Sequence, residues 1–203
     1  MNALPDTKQM LLHYLHDVRE SLVWKTQGLS ERELRMPRTP TGTNLLGLIK
    51  HAASVEAGYF GEVFGRPWPT PEELPTEAQV DEDPNVDFYA TADESAEHII
   101  DLYRRVATFA DTTITELPLD APGRVPWWGD RGDVTLQRIV VHVIDDLSRH
   151  AGHADILREE IDGAVGLIPR ATNIPDIDQA AYVTKLRALA EQFPASSSRG
   201  QGQ

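Results

Sequence analysis

The chain has 203 residues, a 40% apolar fraction and a formal net charge of −13, which suits one buried globular domain. No apolar stretch approaches the roughly 20 residues that a membrane-spanning helix needs, and an acidic surface repels nucleic-acid phosphates. The absence of cysteine excludes disulfides, thiolate ligands and a thiol nucleophile of the protein's own.

Four long segments carry the three-and-four spacing of amphipathic helices. The first runs from about Thr7 to Gly28, with Leu11, Leu15, Val18 and Leu22 on one side. Residues 29–34 follow as the start of a short helical turn. The second runs from Thr43 or Asn44 to Phe64, where Gly65 and Pro67 end it. From Arg66 to about Thr91, prolines at 67, 69, 71, 75 and 84 exclude regular helix through most of the stretch and predict a long surface crossover. The third helix is expected over Ala92–Leu117, capped by Thr91 or Asp93. A loop with Trp127 and Trp128 leads to the fourth, from Asp133 or Thr135 to Asp162, stopped by Gly163. A shorter helix fits 177–191. No stretch alternates convincingly as a strand. The expected fold class is all-α, a four-helix bundle with a long crossover, forming a single domain over residues 1–192 with a disordered tail over 193–203.

The fourth helix carries the chemistry. At roughly 100° per residue, His142, Asp146, His150 and His153 fall within about 80° of one another. Imidazole and carboxylate are divalent-metal ligands, and spacings of four and three align them along one helical face. The aliphatic arc of Leu136, Ile139, Val140, Val143 and Leu147 adjoins that stripe, so the polar groups sit at the rim of the buried face. On the second helix His51 lies among Leu48, Ile49, Ala52 and Val55. A lone histidine in such company is most often a hydrogen-bonded core residue, and His13, His16 and His98 take either that reading or a surface one. Four ligand-type side chains on one face are harder to explain by packing, because buried polar groups cost several kcal/mol unless paired or coordinated. Trp127 and Trp128 either roof a pocket or anchor their loop. Arg149 and Arg158 either clamp a substrate carboxylate or pair with Glu56 or Asp155. No Gly-rich phosphate loop, His-Glu-x-x-His helix or nucleophile elbow is present.

The stretch Leu45-Leu46-Gly47-Leu48-Ile49-Lys50-His51, with Asp146-Leu147-Ser148-Arg149-His150-Ala151-Gly152-His153-Ala154-Asp155-Ile156, resembles the DinB/YfiT-like superfamily over residues 7–165, and within it the actinobacterial mini-circle protein branch. The resemblance implies a four-helix bundle with an unusual crossover. It also implies a metal held by one histidine of the second helix and a pair spaced by four on the last: His51, Asp146 and His150. The commonest pattern has histidine at both members of that pair; related mycothiol-dependent isomerases have glutamate at the first. His153 is kept as a further metal candidate, and His142 as a substitute or as a group orienting a ligand. Two imidazoles and a carboxylate suit zinc or nickel.

The expected function is therefore a divalent-metal-dependent enzyme transferring a low-molecular-weight thiol, mycothiol-like, to a small electrophile. A small-molecule substrate and a thiol cosubstrate are its expected partners, with no nucleic acid, no membrane and a homodimer as one option. A non-catalytic, stress-associated binding protein of the same fold, with a structural or degenerate site, is the alternative. The segment Met1–Asp6 lacks the basic-then-apolar pattern of a secretory signal, so the cytoplasm is the expected compartment.

Overall fold

A computed structural model describes residues 6–168 and 170–194. The chain divides into two compact units, Met1–Thr172 and Asn173–Gln203.

In the first unit α1 (Thr7–Trp24) starts at an Asp6–Gln9 capping box. A second capping box, Ser30 with Glu33, starts the short α2 (Glu31–Arg35). Asn44 caps α3 (Leu45–Phe60) through its side chain on the Gly47 amide. The expected extension of α3 to Phe64 does not occur: the α-helix stops at Gly61, and residues 62–64 tighten into a 3-10 turn closed by Gly65 in the left-handed region.

The crossover is more ordered than its prolines suggest. A 3-10 turn covers 71–73, and α4 (Glu77–Glu82) fits between Pro75 and Pro84, started by a Thr76–Gln79 capping box. Next comes α5 (Ala96–Glu116), capped by Ser95 rather than Thr91 or Asp93. An unexpected two-stranded antiparallel ribbon follows, β1 (Pro122–Arg124) with β2 (Asp133–Thr135), closing the tryptophan loop. Three residues per strand are too few for alternation to be visible in sequence. Thr135 caps α6 (Leu136–Asp162), and Gly163 ends it with φ of 77°.

Helix α3 packs against both α5 and α6, and α1 packs against α6. Leu15, Leu22, Leu46, Phe60, Val106, Val143 and Leu147 are fully buried between them. Each such side chain contributes about 1.5–3 kcal/mol relative to exposure. One polar cluster lies within this core. Arg19 of α1, 6% exposed, grips the fully buried Glu56 of α3 with Nε 2.9 Å from Oε1. The Tyr103 hydroxyl of α5 donates to the same carboxylate at 3.1 Å, and Arg19 Nη1 reaches Asp111 at 2.6 Å. Burial opposes the charge on Arg19, but Glu56 overrides it and holds the guanidinium firmly protonated.

The second unit contains α7 (Gln179–Ala190), capped by Asp178, with no buried residue. Of the expected tail, residues 195–203 lie outside the described residues.

Candidate metal centre

The site is assembled where α3 faces α6. His51 projects from the middle of α3; Asp146 and His150 lie one turn apart on α6. One ligand atom from each of the three lies within 4.8 Å of the other two. Asp146 Oδ2 is 3.9 Å from His51 Nε2 and 3.8 Å from His150 Nε2. Those separations are too long for hydrogen bonds. They match two ligands that share a cation about 2 Å from each. The side chains are 16%, 30% and 13% exposed for His51, Asp146 and His150, so the cluster is sheltered yet reachable.

Unmet valence marks the same place. Asp146 Oδ2 is buried and has no hydrogen-bond partner. A bare carboxylate oxygen buried between two imidazoles is costly without a cation to satisfy it. Burial, with His51 beside it, lowers the pKa of His150 and favours the neutral ring that donates a lone pair. The donor set therefore fits a divalent transition metal.

Around it, the end of the crossover orients His51. Asp87 Oδ2 lies 2.8 Å from His51 Nδ1 and accepts that N–H, which directs the Nε2 lone pair toward Asp146 and His150. The Phe88 ring stacks on the His51 imidazole with centroids 4.0 Å apart. Gly47, one turn before His51, makes this approach feasible: a Cβ there would lie 1.8 Å from the Phe88 carbonyl oxygen. Asn44 donates to that same oxygen at 3.0 Å, and Lys50 reaches the Tyr89 carbonyl at 3.1 Å while pairing with Glu94.

Two sequence candidates stand outside the cluster. His153 is exposed, its ring centroid 5.8 Å from that of His150. His142, one turn before Asp146, instead places Nε2 3.0 Å from the Tyr59 hydroxyl and packs on Trp128. Of the two arginines, Arg158 is paired, though not with Glu56 or Asp155, and Arg149 is exposed. Arg158 binds Asp162 and the Lys25 and Gln27 carbonyls, while Glu56 is taken by Arg19 and Asp155 by Lys25. Asp87 escaped the sequence reading because it lies in a loop, off any helical period. The Asn44-x-x-Gly47 start of α3 was its one indirect trace.

A cleft of about 900 Å³ runs along α3, with Ser54, Gly58 and Trp127 among its walls; none of the three ligands lines it, and it meets the cluster through Asp87, the partner of His51. Its volume lies in the range of small-molecule pockets.

A family model described as mycothiol-S-transferase matches residues 10–163. No curated protein matches. Among solved structures, a conserved protein of locus from Enterococcus faecalis is similar at 17% identity, with a TM-score of 0.62 over 79% of this chain and 100% of that one. That likeness shows a shared all-α fold. No helix among the described residues is long and apolar enough to cross a membrane. By the match that spans most of its length, including all three clustered ligands, the chain belongs to the mycothiol-S-transferase family, within the DinB/YfiT-like superfamily.

Proposed function

We propose that the protein is a divalent-metal-dependent enzyme that transfers a low-molecular-weight thiol to a small electrophile. The observation that carries this reading is the convergence of His51, Asp146 and His150 on one point with a buried, unpartnered carboxylate oxygen at its centre. Three protein ligands leave a coordination position open, the catalytic arrangement for zinc, whereas structural zinc sites normally have four. A bound cation would supply Lewis acidity, bringing the pKa of a thiol or water toward neutrality. Zinc and nickel suit this donor set best.

The chain's own residues supply the rest. His51 and His150 offer imidazole lone pairs, Asp146 offers a carboxylate oxygen, and Asp87 orients the His51 ring. The cleft along α3, which meets the cluster at Asp87, would admit the electrophile. With no cysteine in the protein, the sulfur nucleophile comes from the cosubstrate. Its thiol proton is lost to solvent, and the sulfur forms the new bond to the electrophilic carbon as the leaving group departs with the electron pair of the bond that breaks. A cytoplasmic, thiol-containing compartment accords with this chemistry.

The test uses purified protein prepared without chelators. About one equivalent of zinc or nickel should be retained, and mycothiol should be consumed with a haloalkyl electrophile only in the loaded protein. His51→Ala should abolish both. Less than a tenth of an equivalent together with no thiol consumption would overturn the proposal in favour of a non-catalytic binding protein.

A further inference from the structure

We infer that the cleft beside the cluster is a pocket for an organic cation or amine-bearing molecule with an apolar body, and that it excludes anions. The inference rests on the transfer reading in one respect, since it makes that molecule the electrophilic acceptor.

Charge is the first argument. Glu62, Glu77, Asp81 and Asp87 all line the cleft, and no lysine or arginine does. Two arginines adjoining its walls are paired: Arg66, next to Pro67, with Glu116, and Arg105, over the Trp68 ring, with both Glu73 and Asp101. In a concave, partly apolar site, carboxylates of one sign focus their field inward and raise the local concentration of cations. Anions meet the same field as a barrier.

The apolar surface is the second argument, and it is independent of the first. Trp127 is 52% exposed, unusual for so large a ring. Yet its orientation is fixed, because the indole N–H donates to the Tyr59 hydroxyl at 3.4 Å and the rings meet edge to face at 5.3 Å. An anchored indole with open surface is suited to stack on a guest, and tryptophan is the best side chain for attracting a cation to its face. In the same cleft, α4 has no buried residue, so its packing into the core does not explain its sequence. Its residues Glu77, Val80 and Asp81, spaced by three and four, form one wall of the cleft. Val80, 44% exposed, adds apolar contact between two carboxylates.

Benzyltrimethylammonium and benzenesulfonate, one ring with opposite charges, are the probes. Their binding to metal-free full-length protein can be read by tryptophan fluorescence and calorimetry at low salt. The cation should bind at least about ten-fold more tightly, and the gap should narrow as salt screens the wall. The double variant Glu77→Gln/Asp81→Asn should shrink the gap. Gly58→Leu should weaken both probes by filling the floor, since a Cβ there already lies 3.5 Å from Trp127. Glu159→Gln/Glu160→Gln, exposed on α6, should change neither. Equal affinity for the two probes, or cation binding indifferent to both cleft variants, would overturn the inference. Charge-selective binding without thiol transfer would refute the transfer reading alone. Transfer with equal probe affinities would refute the pocket alone.

Discussion

Helix α3 carries two polar clusters of opposite character. Toward α1 and α5, Glu56 is enclosed by the Arg19 guanidinium and the Tyr103 hydroxyl, so the carboxylate has donors on both oxygens. Toward α6, His51 meets Asp146 and His150 at distances that bond nothing, leaving Asp146 Oδ2 unpartnered. The first brings its own counter-charge; the second brings only lone pairs. A closed cluster makes structure, whereas an open set of acceptors provides a place for a cation.

The comparison can be broken by removing one member from each side. Glu56→Ala strands a buried guanidinium and should destabilise the fold by about 3–5 kcal/mol in denaturant titrations. Folded Glu56→Ala protein should still retain its equivalent of metal. His150→Ala should do the reverse, with metal affinity falling at least about 100-fold by competitive chelation. Its metal-free stability should change by less than about 1 kcal/mol, because the substitution removes a strained set of acceptors rather than a satisfied bond. A comparable loss of metal-free stability in both variants would erase the distinction.

Gly47→Ala tests how the crossover is seated. The added methyl would strike the Phe88 carbonyl, so a loss of about 1–3 kcal/mol is expected, with weakened metal retention as Asp87 is displaced. Asp87→Asn leaves the crossover in place and weakens only the grip on the His51 N–H. A loss of about 10–100-fold in metal affinity is expected, with little change in melting temperature. The smallest effect is one of pH. Because the folded chain holds His150 below its usual pKa, it binds fewer protons there than the unfolded chain. That contribution to metal-free stability is complete above about pH 6.5 and declines as the pH falls through the depressed value. Denaturant midpoints at pH 7.5 and 5.5 should therefore differ more in the parent than in His150→Gln.

The long helices and the α6 stripe were legible in sequence because 3.6-residue periodicity records which face is buried. The ends of α3 and α5 were less so: Gly61 and Ser95 win by local cap and turn geometry, which apolar spacing does not report. The spacing of His142, Asp146, His150 and His153 was equally consistent with several ligand sets. The family resemblance singled out Asp146 and His150, and tertiary placement separates them from exposed His153 and from His142, held by Tyr59. Asp87 and the α4 wall depend on where a proline-rich segment lies, and no helical period encodes that. The Thr76–Gln79 capping box was the one readable sign that this segment contains a helix.

Asp87 is both part of the cleft wall and the partner of a ligating ring. A guest pressing on that carboxylate would alter how firmly the imidazole is steered, and loading of the ion would in turn stiffen the guest's surroundings. Thermodynamic reciprocity then requires each to change the other's affinity by the same factor. Occupancy at one end of the seam would thus be felt at the other through a single loop residue, without movement of the helices.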